Sequence, residues 1–263
     1  MIKLVYVLAR RSDVPKERFH DYWLNTHGPL VREHAQAIRA KKYIQSHTID
    51  TPLNAAFWQP RGMLPPVDGV TEVWWDSLDD VRKGFLESPG REAIRILAED
   101  EEKFIDIAKS QVFLTEEHVI FDHTGQRPLG PNQVKITYLL MRRDGMTDAD
   151  CHKTWKNDHG PLVRDNSAPV HMRKYIQSHA VAPDFNAQLQ SGRGLTAPLT
   201  GITEVWLDSI DDLQRAFETE EGRNAGQIML EDEKRFVSLP QSRCFLTKEH
   251  LIFDFTKEKQ AAA

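Results

Sequence analysis

The sequence predicts an α+β fold in which two tandem copies of one βαββαβ unit close a single barrel. Three observations lead to this prediction. Near-identical segments recur at one constant spacing, each copy contains four strand-like segments and two helical regions in a fixed order, and such a unit leaves one face of its sheet uncovered.

The repeat is visible in several matched segments. HGPLVR at 27–32 returns at 159–164, KKYIQSH at 41–47 returns as RKYIQSH at 173–179, and FLTEEHVIFD at 113–122 returns as FLTKEHLIFD at 245–254. All of these pairs are separated by 132 residues, so both copies share one backbone. We assign 1–122 to the first repeat, 123–133 to a linker containing Gly and Pro, 134–257 to the second repeat and 258–263 to a tail.

The elements of the first copy follow in a readable order. KLVYVLA is a strand, and VPKERFHDYWLNTH is a helix that Gly28-Pro29 should end. KYIQSHTI is an alternating strand, an irregular stretch follows it, and GVTEVWW is the third strand. LDDVRKGF begins a helix, a second helical run continues through EDEEKFIDI, and VFLTEEHVIF is the last strand. This order is that of a ferredoxin-like unit, an antiparallel sheet with helices on one face.

The uncovered sheet face explains why two copies are needed. A sheet with one bare apolar face must bury it against another layer, and a second copy supplies that layer. We therefore expect two tandem ferredoxin-like βαββαβ units that form an intrachain, pseudo-twofold dimeric α+β barrel. The sequence leaves open a homodimer of this tandem chain.

Bulk composition limits the partners. The net charge is −5 with both signs interspersed, which gives no reason to expect nucleic acid binding. No apolar stretch approaches the roughly 20 residues of a membrane span, and the two cysteines cannot form a disulfide framework. We expect a cytoplasmic protein with a small-molecule substrate and no membrane partner.

A motif in the first helix resembles a known family. The string F-x-x-Y-W-x-x-x-H-G-P-L-V, from Phe19 to Val31, is similar to the EthD domain, and the second copy keeps the core from Trp155 to Val163. The resemblance implies the dimeric α+β barrel superfamily, which includes isomerases, cofactor-free monooxygenases, polyketide cyclases, dehydratases, decarboxylases and haem enzymes. It implies a fold more strongly than an activity.

His27 and His159 lead this motif and are the first catalytic candidates. Histidine titrates near neutral pH, so these imidazoles could act as general acids or bases. The alternative is a helix C-cap, in which the following glycine adopts the left-handed conformation. The two interpretations are compatible.

A strand supplies the second group of candidates. Tyr43, Gln45 and His47 share one strand face, and Ile44 lies on the other. We expect Ile44 to face the helices and the three polar residues to point into the barrel. There Tyr43 and His47 would be catalytic and Gln45 substrate-binding, unless all three form only a buried hydrogen-bond network. The matching residues of the second copy are Tyr175, Gln177 and His179.

The T-E-V-W segment adds carboxylates beside tryptophans. Glu72 and Glu204 are catalytic candidates because a desolvated carboxylate has a raised pKa. The alternative is a structural ion pair, with Arg10 or Lys42 as partner in the first copy. Four tryptophans are the remaining substrate-binding candidates, namely Trp23, Trp74, Trp155 and Trp206.

Metal and cofactor signals are weak. No spacing of His, Cys or carboxylates matches a metal site, so none is predicted. We expect no cofactor, although haem needs only one axial histidine and remains the alternative. The acidic runs EDEE at 99–102 and EDE at 231–233 are interpreted as solvated helix faces.

The leading hypothesis is a cofactor-independent lyase or isomerase of the cyclase, dehydratase or decarboxylase kind. Its histidines would move a proton on a small apolar carbonyl or aromatic polyketide-like compound. The alternatives are an oxidoreductase on the same fold, either a cofactor-free monooxygenase or a haem enzyme, and a non-catalytic small-molecule binding protein.

Overall fold

The computed structural model describes residues 1–256, so the tail assigned to 258–263 lies outside the described residues. The strands are β1 (Ile2–Leu8), β2 (Lys42–Thr48), β3 (Gly69–Trp75), β4 (Gln111–Asp122), β5 (Val134–Leu140), β6 (Lys174–Val181), β7 (Gly201–Leu207) and β8 (Arg243–Asp254). They form one closed antiparallel barrel in the order β1-β3-β2-β8-β5-β7-β6-β4. The predicted pseudo-twofold barrel of two ferredoxin-like units is therefore confirmed.

The long last strand of each repeat joins the two halves. β4 pairs with β1 along residues 111–116 and with β6 of the other repeat along residues 114–122. β8 does the same between β5 and β2. Because each final strand is 12 residues long, it completes its own sheet and then extends into the neighbouring one. No sheet edge is left open.

Ten helices cover the outside of the barrel in the described part of the chain. They are α1 (Lys16–Tyr22), α2 (Gly28–His34), α3 (Leu53–Trp58), α4 (Leu78–Leu86), α5 (Gly90–Glu101), α6 (Asp148–Thr154), α7 (Gly160–Asp165), α8 (Pro183–Arg193), α9 (Ile210–Glu218) and α10 (Glu220–Glu233). Helices α3 and α8 lie in stretches that the sequence marked as irregular. In residues 1–256, no helix is both long and apolar enough to cross a membrane.

The helix expected to end at Gly28 continues through it. Residues 23–27 form a π-helical turn, Gly28 has right-handed φ and ψ of −56° and −52°, and α2 follows. Pro29 is tolerated because it lies in the first turn of α2, where its missing N–H is not needed. Glycine is required for close approach, since a Cβ at Gly28 would lie 3.0 Å from Nε2 of Gln45. His27 is thereby held inside a continuous helical segment.

Side chains fill the interior of the barrel. Apolar residues pack at one end, including Val5, Val70 and Phe113, all of them buried. A cluster of lysines and glutamates fills the other end. Side chains can fill the interior of an eight-stranded barrel completely, and here the described residues do so.

Candidate active site

The larger apolar cavity lies on the outer face of the sheet, under the helices of the first repeat. Its volume is about 250 Å³. The walls are mostly apolar and include Leu4, Leu8, Val73, Trp75 and Leu97. The polar residues in its lining include His27, Tyr43, Thr71, Glu101 and Arg193, together with Tyr6 and Gln188. This combination of apolar walls and a few convergent polar groups is typical of a small-molecule site.

The second repeat has an equivalent but smaller cavity of about 100 Å³. Phe57 lines it at the position that Leu189 has in the first cavity, because the two residues are 132 apart. The larger phenylalanine leaves less free space. Phe57 belongs to the first repeat and Leu189 to the second, so each cavity is covered by a segment of the opposite repeat.

A buried histidine–aspartate pair lies at the first cavity. Nδ1 of His27 lies 2.8 Å from Oδ2 of Asp100, and His27 is 4% exposed. Tyr22 and Lys103 donate to Oδ1 of the same carboxylate at 2.7 and 2.9 Å. The hydrogen bond from His27 holds the pKa of Asp100 well below its usual range, despite burial. Because Asp100 is ionised, Nδ1 donates its hydrogen to it, and in the neutral imidazole the lone pair lies on Nε2.

The second repeat preserves this pair with different support. Nδ1 of His159 lies 2.9 Å from Oδ2 of Asp232, and Arg235 donates to Oδ1 at 2.5 Å. Burial raises the pKa of Asp232, but the hydrogen bonds from Arg235 and His159 outweigh it and lower the pKa. Thr154 stands where Tyr22 stands in the first copy.

The sequence interpretation of the acidic runs was wrong. Asp100 and Asp232 are buried, and Glu101 and Glu233 line the two cavities. A signal was present, because Asp100 follows Leu97 by three residues and Ala93 by seven. That spacing places it on the apolar face of α5.

The expected orientation of the β2 residues was also wrong. Ile44 pairs with Glu72 and faces the barrel interior, while Tyr43, Gln45 and His47 face the helices. Pairing partners share a face, so Ser46, which bonds Glu72, is also inside. The same inversion applies to Tyr175, Gln177 and His179 in the second repeat.

Of the three polar residues, only Tyr43 lines the cavity. Its hydroxyl oxygen accepts from Nε1 of Trp23 at 3.1 Å and from Nε2 of Gln45 at 3.0 Å. Gln45 also donates to the Trp23 carbonyl at 2.7 Å. Tyr175 and Gln177 make the matching bonds around Trp155. Trp23 and Trp155 are fully buried, and they both anchor this network and contribute to the cavity walls.

His47 lies behind this network. Its ring stacks on Trp23 at 4.4 Å, near His20 and His250, and Nε2 lies 2.9 Å from Oε1 of Gln45. Burial, followed by the charges of His250 and His20, lowers the pKa of His47 to about 2. His179 is equivalent, with a pKa of about 2. Neither ring lines a cavity or has the near-neutral pKa that suits a general base.

The T-E-V-W carboxylates lie inside the barrel, on the opposite face of the sheet from both cavities. Lys135 bridges Glu72 and Glu204 at 2.5 and 2.8 Å, and Lys3 also contacts both. The ion-pair alternative had the wrong partners, since Arg10 binds Asp68. Burial and the charge of Glu204 raise the pKa of Glu72 to about 7.

Two further features complete the barrel cluster. Burial opposes ionisation of Glu204, yet Lys135 and Lys3 hold its pKa well below the usual range. Trp74 and Trp206 donate to Glu117 and Glu249 at 2.9 and 2.8 Å, so they belong to this cluster rather than to a cavity wall. Glu72, Glu204 and Glu249 lie close enough to share a metal ion, but the ammonium group of Lys135 already contacts all three carboxylates.

The fold and site define a class of protein, a fused α+β barrel with an apolar cavity and a buried histidine–aspartate pair on each half. A family model, the EthD domain, matches residues 11–108 and 143–240, so the chain belongs to the EthD domain family. This confirms the resemblance seen in the sequence. No curated protein matches the chain.

Solved structures share the architecture at low identity. An anthrone oxidase-like protein is 10% identical, with a TM-score of 0.54 over 97% of this chain and 94% of that one. An EthD family protein from Bacillus halodurans is 19% identical and covers 45% of this chain and 99% of its own, with a TM-score of 0.32. A dimeric ferredoxin-like protein from Bacteroides fragilis is 16% identical over 44% and 94%, with a TM-score of 0.29. At these identities the likeness concerns the fold alone.

Proposed function

We propose that this protein is a cofactor-independent enzyme of the lyase or isomerase type, which moves a proton on a small, largely apolar carbonyl compound. One observation carries the proposal. His27 is bonded through Nδ1 to the ionised Asp100 at 2.8 Å and lines an apolar cavity of about 250 Å³. An oriented imidazole beside an apolar cavity is suited to general-base catalysis.

Asp100 has a positioning role in this proposal. It fixes the tautomer of His27, so that the lone pair on Nε2 is available to the cavity, and it stabilises the imidazolium that forms when a proton is taken. Tyr22 and Lys103 hold the aspartate from its other oxygen. The proton on Nε2 is then returned to another carbon of the substrate in an isomerisation, or to the departing hydroxyl group in a dehydration, which releases water.

Tyr43 is the proposed donor to the substrate oxygen. Its oxygen already accepts two hydrogen bonds, so its own hydrogen can be directed into the cavity. Burial raises the pKa of Tyr43, which keeps the hydroxyl protonated. A donor directed at a developing enolate oxygen stabilises the charge that appears when carbon loses a proton.

We assign the reaction to the first cavity. It has about 250 Å³ against about 100 Å³ in the second. Pockets for drug-sized ligands start at about 300 Å³, so the first cavity is close to the size that a smaller, bicyclic compound needs and the second is far below it.

A cofactor-free oxygenase is the second candidate. The observation that favours it is the shared barrel of the anthrone oxidase-like protein. Deprotonation of an aromatic enol by His27 would give an electron-rich anion, with dioxygen as the oxidant. The two candidates thus share the first step and differ in whether oxygen is consumed.

The first cavity does not fit haem. Its volume of about 250 Å³ is too small for a porphyrin. The propionates of a haem would also need cations, and the arginine that lines the cavity, Arg193, is paired with Glu101 at 2.5 Å.

Deuterium exchange tests the first step without knowledge of the product. 2-Tetralone in D₂O exchanges its α-hydrogens slowly, and we expect the enzyme to raise this rate at least about 10-fold by general-base catalysis. Mass spectrometry measures the label. An oxygen electrode, with anthrone as the second probe, separates the two candidates, because only an oxygenase consumes oxygen. Absence of catalysed exchange in both probes would contradict the proposal.

A further inference from the structure

One corner of the first cavity is polar and is built from both repeats. Nη1 of Arg193 lies 2.5 Å from Oε2 of Glu101, and its guanidinium carbon lies 5.8 Å from the centre of the Tyr6 ring. Nε2 of His27 is 4.0 Å from Oε1 of Glu101. The corner therefore brings a base, a cation, a carboxylate and a phenol together at the edge of an apolar cavity.

Helix α8 of the second repeat delivers Arg193 to this place. Phe185 on α8 packs in the core of the first repeat, and Asn186 accepts a hydrogen bond from the Leu114 backbone at 2.9 Å. Gly194 then ends the helix in the left-handed conformation, with φ of +68°. These contacts fix the end of α8, and with it Arg193, above the cavity.

The Tyr6 hydroxyl is the feature that calls for a ligand. Tyr6 is 5% exposed, and its hydroxyl makes no hydrogen bond to any described residue. A buried hydroxyl without a partner is costly, and most such groups in proteins are satisfied. Burial and the charge of the neighbouring Glu101 raise the pKa of Tyr6, so the hydroxyl stays protonated, and a ligand oxygen in this corner would compete with Glu101 for its hydrogen.

The charged residues around this corner determine which kind of ligand oxygen can bind there. Arg193 is balanced by Glu101, and Asp100 is balanced by Lys103. A permanent carboxylate on the ligand would have to compete with Glu101 for the guanidinium. A neutral hydroxyl or enol adds no net charge on entry.

The second cavity provides an internal comparison. Arg61 of the first repeat lies 3.3 Å from Glu233, which is the same pairing with the repeats exchanged. There, however, the Tyr138 hydroxyl donates to Glu233 at 3.3 Å. In the second cavity, which is also the smaller one, the tyrosine hydroxyl is thus bonded directly to its carboxylate.

We infer that Arg193 of the second repeat and Tyr6 are ligand-binding residues of the first cavity, where they join Tyr43 in binding the oxygen of a neutral, weakly acidic phenol or enol. This inference rests on the proposed function of His27 and names its substrate class. It also makes the site of one repeat incomplete without the other.

Binding of three naphthalenes tests the inference. 2-Naphthol is the aromatic counterpart of the enol of 2-tetralone, 2-methoxynaphthalene lacks the proton, and 2-naphthoate is a permanent anion. We expect calorimetric titration to rank 2-naphthol tightest. Arg193→Met and Tyr6→Phe should each weaken 2-naphthol about 10-fold, the loss typical of one hydrogen bond to a charged or buried group, and leave 2-methoxynaphthalene unchanged.

Matched controls exclude unfolding as the cause. Tyr6→Phe removes a hydroxyl that has no partner in the described residues, so its melting temperature should not fall. Arg18→Met replaces an exposed arginine and should bind all three probes as the wild type does. Unchanged affinity of Arg193→Met for 2-naphthol, or 2-naphthoate as the tightest ligand, would overturn the inference.

Failure of the inference is distinguishable from failure of the proposed function. If His27→Ala loses exchange of 2-tetralone while Arg193→Met binds 2-naphthol normally, the base is right and the assignment of Arg193 is wrong. If no exchange occurs but Arg193→Met weakens 2-naphthol, the binding residues are right and the chemistry is wrong.

Discussion

Replacing His27 by alanine is expected to lower the exchange of 2-tetralone about 10²–10⁴-fold, the usual contribution of a general base. At the first cavity, Nδ1 of the His27 imidazole is bonded to the ionised Asp100, which leaves Nε2 to accept a proton from the substrate. Tyr22 and Lys103 still bond Asp100 after the change, so the fold should persist. The exchange rate by mass spectrometry and the circular dichroism spectrum provide the measurement.

His159→Ala is the matched control, since it makes the same change beside the smaller cavity of about 100 Å³. We expect this variant to keep most of the exchange rate. Equal losses in the two variants would mean that both cavities work. A loss of exchange only in His159→Ala would show that the reaction takes place at the second cavity and contradict its assignment to the first.

Lys3→Met is expected to lower the free energy of unfolding by about 3–5 kcal/mol, the cost of breaking a buried ion pair. The side chain of Lys3 is fully buried in the barrel, with Glu117 at 3.1 Å and Glu72 at 3.5 Å, and it also bonds Glu204. Its removal leaves several carboxylates with Lys135 as the remaining cation of the cluster in the described structure. Urea unfolding monitored by tryptophan fluorescence measures the change.

Two controls accompany this variant. Lys3→Met combined with Glu204→Gln should recover part of the loss, because the carboxylate left without its lysine is neutralised. Lys83→Met breaks an exposed pair with Asp79 and should change stability little. A loss no larger for Lys3→Met than for Lys83→Met would contradict the description of the barrel interior.

The fold was predictable from the sequence because each repeated segment gives further support for the same arrangement. A constant spacing of 132 residues forces both copies to share one backbone, and an uncovered sheet face forces them to pack together. The helices α3 and α8 were missed because they are held by contacts with the opposite repeat. Asn54 on α3 and Asn186 on α8 each accept a backbone hydrogen bond from a strand of the other copy.

The face of β2 could not be read from alternation alone. A period of two shows which residues share a face, but not which face meets the helices. Ile44 suggested an apolar helix side, yet here the barrel interior holds the charges, and Ile44 packs beside Glu72. Whether Gln45, His47 and their counterparts take any part in catalysis stays a prediction, although the geometry places them behind the cavity wall.

The Asp100 partner of His27 was missed for a different reason. The two residues are 73 apart in sequence, so nothing local connects them. Only the position of Asp100 on the apolar face of α5 marked it, and that signal was hidden within the acidic run EDEE. The division of the chain at residues 123–133 also stays a prediction.

The central claim is that proton transfer takes place at His27, on the outer side of the sheet. Two carboxylates on opposite sides of the sheet test it most directly: Asp100 on α5, outside the barrel, and Glu72 on β3, inside it. The measurement is the exchange rate of 2-tetralone in Asp100→Asn and in Glu72→Gln, both of which remove a charge and keep the shape. We predict that Asp100→Asn loses at least about 10²-fold, because His27 loses its orienting anion, and that Glu72→Gln keeps the wild-type rate. Loss in Glu72→Gln with a normal rate in Asp100→Asn would place the chemistry inside the barrel and contradict this account.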